Sequence, residues 1–263
     1  MSALALAMTD STTMLKRRLL HLRRYPSLTI MLIGQPLVLL LLFVYVFGGT
    51  LGAGIDGAGA GRSEYLAYIT PAILVMAVAS VALGTAIAIA TDMTEGIVAR
   101  FRTMDIARVS VLAGHVLGAL AQTVIALGVT AGVALLLGFD PGGGALDLLG
   151  AFGLLVALGF ALTWLTVAMG LASDSVETAS NIPMVLVLLP FLGSGFVPTD
   201  TMPTGLRWFA EHQPFTPIIE SVRALLAGDP GGGDLGVALV WCAVLATVGY
   251  LWSKRLYDRE PTA

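Results

Sequence analysis

The chain has 263 residues, of which 57% are hydrophobic and 12% charged, with 14 Lys and Arg against 17 Asp and Glu and a formal net charge of −3. A soluble domain carries about 25% charged residues, so a mean hydropathy of +0.88 places this chain in lipid. Six spans of about 20 residues with their loops consume the length, which excludes a sizeable soluble domain. The charge balance does not point to nucleic acid. Cys242, the one cysteine, excludes an intrachain disulfide, a CxxC redox pair and a cysteine zinc cluster.

The first feature in chain order is MLKRRLLHLRR at 14–24. Leu15, Leu19 and Leu22 fall on one helical face, and Lys16, Arg17, Arg18, Arg23 and Arg24 surround it, the pattern of an interfacial helix before the first span. A basic anchor without regular structure is the alternative and gives the same topology. Apolar runs follow at 26–48, 65–90, 110–139, 146–171, 182–197 and 235–253. Most are long enough to cross a hydrocarbon core of about 30 Å as a helix. Leu28 to Phe47 exceeds the apolar region of a signal peptide, about 7 to 15 residues, so an uncleaved first span is expected.

Between the second and third runs lies TDMTEGIVARFRTMDIAR at 91–108. Thr94 suits a helix N-cap, Glu95 the positive end of that helix, and Ile97 and Phe101 share a face, with Arg100, Arg102 and Arg108 around them. So short a helix is marginal alone, and an apolar pair on it suggests docking against another surface; a solvated loop remains the alternative. In the third run Gly114, Gly118, Ala121, Gly128 and Gly132 fall within about 80° of one another at the helical repeat, a small-residue stripe that marks close helix packing, either within the subunit or across a dimer. His115 in the same run reads as a buried hydrogen-bonding residue or one near the headgroups.

Asp174 and Glu177 follow the fourth run as helix-capping residues. After the fifth run the segment 194–230 is too polar to span. Pro198, Pro203, Pro214 and Pro217 break it, and Trp208 and Phe209 suit a membrane interface. Ile218, Ile219, Val222, Leu225 and Leu226 recur at helical spacing, with Glu220 and Arg223 on other faces. An extracytoplasmic re-entrant or interfacial hairpin is expected there.

Cations set the orientation. With both termini and the second and fourth loops inside, eleven of the 14 Lys and Arg lie in the cytoplasm and three outside. An odd number of spans would put the two basic termini on opposite sides. The reading is an all-α polytopic membrane protein of the inner (plasma) membrane, with six transmembrane helices and both termini cytoplasmic.

Chemistry-bearing patterns are sparse. A P-loop needs GxxxxGK[ST], and neither lysine, Lys16 or Lys254, follows a glycine. Any ATP must therefore be handled by another polypeptide. Ser194 in LGSG lacks the glycine of a GxSG motif, since Leu192 stands there, and Asp200, Glu211 and His212 match no common zinc spacing. The GGG runs at 142–144 and 231–233 read as flexible turns.

The segment with Asp92, Glu95-Gly96, Arg100-x-Arg102 and Arg108 resembles the loop between the second and third spans of ABC-2 type permeases, notably daunorubicin-resistance-like drug exporters. RRYPSLTIMLIGQPLVLLLLFVYVFGG, EYLAYITPAI and SGFVP followed by PFTPIIESVRALL carry the likeness from residue 23 to 226. It departs from the family's usual text at Ala72, where glycine is frequent, and at Asp105, where proline is. The resemblance implies one transmembrane domain over 1–263, with an interfacial helix at 14–24, a coupling helix at 94–104 and a re-entrant segment at 194–230. Thr94, Glu95, Gly96, Ile97, Arg100, Phe101 and Arg102 would contact the ATPase. The chain would carry no cofactor of its own and no active site; ATP and Mg would sit on two copies of a partner ATP-binding cassette subunit, beside a second permease copy or a homologous permease. The cargo would be an amphiphilic drug-like or lipid-like solute, with a polysaccharide or lipid-linked glycan as the alternative.

Overall fold

A computed structural model describes residues 26–49, 61–95, 108–229 and 231–258. All regular structure among them is helical. In chain order the elements are α1 (Pro26–Leu42), α2 (Arg62–Thr94), α3 (Arg108–Leu136), α4 (Ala145–Leu171), α5 (Val176–Asn181), α6 (Met184–Leu188), α7 (Thr204–His212), α8 (Phe215–Ala227) and α9 (Leu235–Asp258). A π-helical turn, Phe43–Phe47, extends α1. Lys16, Arg17, Arg18, Arg23 and Arg24, and with them the expected interfacial helix at 14–24, lie outside the described residues.

Among the described residues, five helices are long and apolar enough to cross a membrane: α1 with its π turn, α2, α3, α4 and α9. The run expected as a single fifth span, 182–197, is not one helix. α5 precedes it, and within it stand α6 and a 3-10 turn, Leu189–Leu192. Pro183 and Pro190 cause the breaks, since neither supplies the N–H that would continue an α-helical ladder.

At the centre stands α2, with 83% of its most apolar window buried. It has no polar face, as befits a helix surrounded by others. Three of its threonine hydroxyls are satisfied locally: Thr70, Thr85 and Thr91 donate to Leu66 O, Val81 O and Ile87 O one turn back. Tyr65, Ile69 and Met76 of α2 join Leu158 of α4 and Phe215 and Ile218 of α8 in the main apolar cluster. Outward surfaces are equally apolar. Met31, Tyr45, Leu136, Leu146 and Val240 are exposed, the arrangement of helices that face hydrocarbon.

Glycines allow the closest approaches between helices. A Cβ at Gly249 of α9 would meet the Trp164–Leu165 backbone of α4, one at Gly170 would meet Ala86 O of α2 at 2.7 Å, and one at Gly159 would meet Thr123 of α3 at 3.1 Å. In α3, Gly114 and Gly118 are buried. By contrast, Gly128 and Gly132 have nothing within 4 Å of a notional Cβ, so they make no close contact among the described residues. The face that α3 turns to its neighbours carries Val116, Ala119, Thr123, Ala126, Thr130 and Ala134, all buried. At the helical repeat, Gly128 and Gly132 lie roughly opposite that face. Alanine and threonine supply the close fit instead.

The bundle has two distinct ends. At one, Arg62 covers Gly48, Tyr68 bonds to Ser194, and Gly143 N–H donates to Leu226 O at 3.1 Å. At the other, Asp92 pairs with His115, and Ile89, Leu112 and Tyr257 cluster. Leu32 packs against Gly84, so α1 starts, and α9 finishes, toward the Asp92 end. Neither GGG run is a loose turn: a Cβ at Gly143 would strike Leu225 O, and one at Gly233 would come within 2.7 Å of Ser221 Cα. Both runs hold α8 tightly to its neighbours.

Candidate functional site

Two regions carry the polar chemistry of the bundle. At the Asp92 end, Thr94 is the last residue of α2, and its hydroxyl donates to Thr91 O at 3.0 Å. It stands in the last turn of α2, whose ladder runs on to Glu95, whose N–H donates to Thr91 O at 2.9 Å. Glu95 is exposed, so both residues present themselves at the base of the bundle. Gly96, Ile97, Arg100, Phe101 and Arg102 lie outside the described residues. The helices on either side do come together: His115 Nε2 of α3 stands 3.1 Å from Asp92 Oδ2 of α2. Nearby, Ser175 caps α5 by accepting from Thr178 N at 3.1 Å, with Glu177 in the first turn. The capping oxygen is thus Ser175, between the two acids expected to cap.

At the Tyr68 end the chain forms a knot around Gly193-Ser194-Gly195. The Arg223 guanidinium donates to Tyr68 O at 3.2 and 3.3 Å and to Ser194 O at 2.8 Å, and lies 4.1 Å over the Tyr68 ring. Tyr68 Oη also donates to Ser194 O, at 3.0 Å. Burial pulls the Arg223 guanidinium below its ordinary value, against the pull of Tyr68 and Glu220, and it stays charged. Thr216 of α8 accepts from Ser194 N and donates to Ala210 O, while Gln213 Nε2 reaches Leu189 O at 3.1 Å. Gly193 has no room for a side chain, since a Cβ would strike Gln213 Nε2 and Thr216 Oγ1. The glycines of this turn therefore serve close packing.

Arg223 is the residue that sequence reasoning missed, having been placed on a face away from the core. The signal was available: a lone cation in an apolar helical segment needs a partner. Ser194 and His115 are at opposite ends of the bundle, since their respective contacts Tyr68 and Asp92 are separated by about 36 Å of helix at 1.5 Å per residue. No serine–histidine pair exists there.

Beyond the knot, Phe43 of the π turn lies 4.8 Å from Phe196 by ring centroids, and Phe191 stacks on Phe196 at 4.4 Å. Arg62 sits 3.6 Å over the Tyr45 ring. α7 exposes Leu206, Trp208 and Phe209, and carries the exposed Arg207–Glu211 pair at 2.7 Å. The bundle is a tightly packed apolar body with polar locks at both ends.

Comparison with known proteins decides the family. The ABC-2 type transporter model matches residues 9–227, most of the chain. The chain belongs to the ABC-2 type transporter family. Among its relatives, this ABC-2 protein is 32% identical over 259 residues to the daunorubicin resistance ABC transporter permease protein DrrB1 of Streptomyces coeruleorubidus, covering 98% of this chain and 89% of the relative. It is 27% identical to the probable doxorubicin resistance ABC transporter permease protein DrrC of Mycobacterium tuberculosis, over 69% of this chain and 68% of that one. The doxorubicin resistance permease DrrB of the same organism is also 27% identical, over 75% and 68%. With five helices long and apolar enough to span, the chain is a multi-pass membrane permease.

Proposed function

We propose that this chain is the membrane subunit of an ATP-driven exporter that moves an amphiphilic drug-like or lipid-like solute across the inner membrane. The observation that carries the reading is its end-to-end similarity to a drug-resistance permease, over 98% of its length. The exposed base of α2, ending at Thr94 and Glu95, supports a docking segment at 94–104. That segment, with Gly96, Ile97, Arg100, Phe101 and Arg102, inserts into a groove of a separate ATPase subunit, which holds ATP and Mg. Two ATPase subunits and a second permease, identical or homologous, complete the transporter.

The short climb from Val176 to Leu192 acts as the fifth of six spans, which returns both termini to the cytoplasm. Its support is the path of the chain: from the Asp92 end, where Gly170 meets Ile89, to the Tyr68 end, where Gly195 meets Ala72. α7 and α8 form the extracytoplasmic hairpin, with Trp208 and Phe209 at the headgroups. Lys16, Arg17, Arg18, Arg23 and Arg24 hold the start of the chain at the inner face. Closure of the ATPase pair on ATP pulls on 94–104 and reorients the spans.

Gly96→Pro combined with Phe101→Asp should leave membrane insertion intact and abolish copurification with the ATPase. Unchanged copurification removes the docking site from 94–104. In the reconstituted complex, stimulation of ATP hydrolysis by amphiphilic drugs supports the proposed cargo, and stimulation by a glycan lipid alone refutes it.

A further inference from the structure

We propose that Asp92 and His115 form a strut that holds the bases of α2 and α3 in fixed axial register, so that the two helices move as one when 94–104 is pulled. The proposal rests on the reading of that segment as the ATPase-docking site. Asp92 lies in the last turn of α2 and His115 near the start of α3, so the pair bridges the two helices from which the segment hangs. The His115 and Asp92 side chains are 11% and 20% exposed at 3.1 Å, against 48% and 39% for the Arg207–Glu211 pair. Shielding from solvent makes the former worth more than a surface pair, because water competes less for its partners.

Why the helices need a strut follows from the rest of their interface. Ile89 meets Leu112 and Val116 in one apolar cluster, and Val81 meets Ala119 and Ala126 in another. Apolar burial is non-directional; it keeps the helices together but resists sliding weakly, and shear between packed helices is a common motion. A shift of one turn, about 5.4 Å, would part the carboxylate and imidazole completely. Without the pair, a pull at the base is absorbed by slip between α2 and α3. With it, the pull reaches the buried centre of α2.

The test uses the full permease with its ATPase in liposomes, following ATPase copurification, ATP hydrolysis and solute moved per ATP. Asp92→Asn and His115→Leu should each retain the ATPase and hydrolysis while solute moved per ATP falls about fivefold or more, the lower range for coupling between sites. The exchanged pair, Asp92→His with His115→Asp, should recover most of that loss. A third arm is independent of folding differences: Asp92→Cys with His115→Cys in a Cys242→Ser background, compared before and after bridging by a short bis-thiol reagent. Bridging should raise solute moved per ATP. Unchanged coupling in the single variants, no recovery in the exchanged pair, or loss of transport on bridging overturns the strut. Loss of ATPase copurification in the single variants also overturns it, by assigning the pair to docking. Failure of the unmodified permease to retain the ATPase removes the docking reading itself, and the strut falls with it.

Discussion

Replacing Arg223 by methionine keeps the apolar stem and removes the guanidinium from the Tyr68 end. The charge donates to Tyr68 O and Ser194 O and covers the Tyr68 ring at 4.1 Å. Hydrogen bonds to a charged group contribute about 1.5–3 kcal/mol each when counted singly, and a cation over a ring adds about 0.5–1 kcal/mol. Two effects reduce the sum. Measured polar contacts inside membrane proteins average about 0.6 kcal/mol, and Ser194 O keeps its bond from Tyr68 Oη after the substitution. A net loss of about 2 kcal/mol results, close to a 30-fold change in the unfolding equilibrium. Unfolding in mixed micelles by added SDS, followed by tryptophan fluorescence, measures it. Arg223→Lys should recover less than half, because a single ammonium cannot span both carbonyls in the geometry of the fork. A double cycle with Tyr68→Phe should show coupling. A loss under about 0.5 kcal/mol for Arg223→Met, with no coupling to Tyr68, would refute the knot as a stabilising element.

Other substitutions separate glycines that are packed from those that are not. Gly193→Ala forces a methyl against Gln213 and Thr216 and should destabilise by about 1–3 kcal/mol in the same unfolding assay. Gly249→Ala should do as much, because the obstacle is the α4 backbone at Trp164 and Leu165. Gly128→Ala and Gly132→Ala, with open space around them, should not lower the stability of the isolated chain and gain up to about 1 kcal/mol from better helix propensity. Asp234→Ala removes the carboxylate that accepts from Val237 N at 3.1 Å at the start of α9, and about 1 kcal/mol should follow as for a lost N-cap.

The spanning helices were legible because a hydrocarbon environment imposes a crude requirement, some 20 apolar residues per helix. α2, α3, α4 and α9 accordingly begin and end close to the apolar runs that announce them. The amphipathic repeat of Ile218, Ile219, Val222 and Leu225 also emerged as α8, with all four buried. The fifth run is less regular than its hydropathy suggests, because hydropathy counts apolar residues without asking whether each supplies a backbone donor. Pro183 and Pro190 do not. The glycine stripe of α3 shows a second limit: a small side chain permits close approach but does not choose which face, or which copy of the chain, is approached.

Composition and periodicity alone determined that this chain lives in a membrane, how its apolar helices are spaced and on which loops its cations gather, since each follows from the local cost of placing a residue in lipid. Family membership was likewise legible in short motifs along the chain. Only the tertiary structure decided that Arg223 turns inward to two carbonyls, that Asp92 finds His115 on another helix, and that Gly193 and Gly249 are the crowded glycines. Those facts depend on residues tens to more than a hundred positions apart meeting in space, and no local preference encodes which of several equally apolar faces will meet.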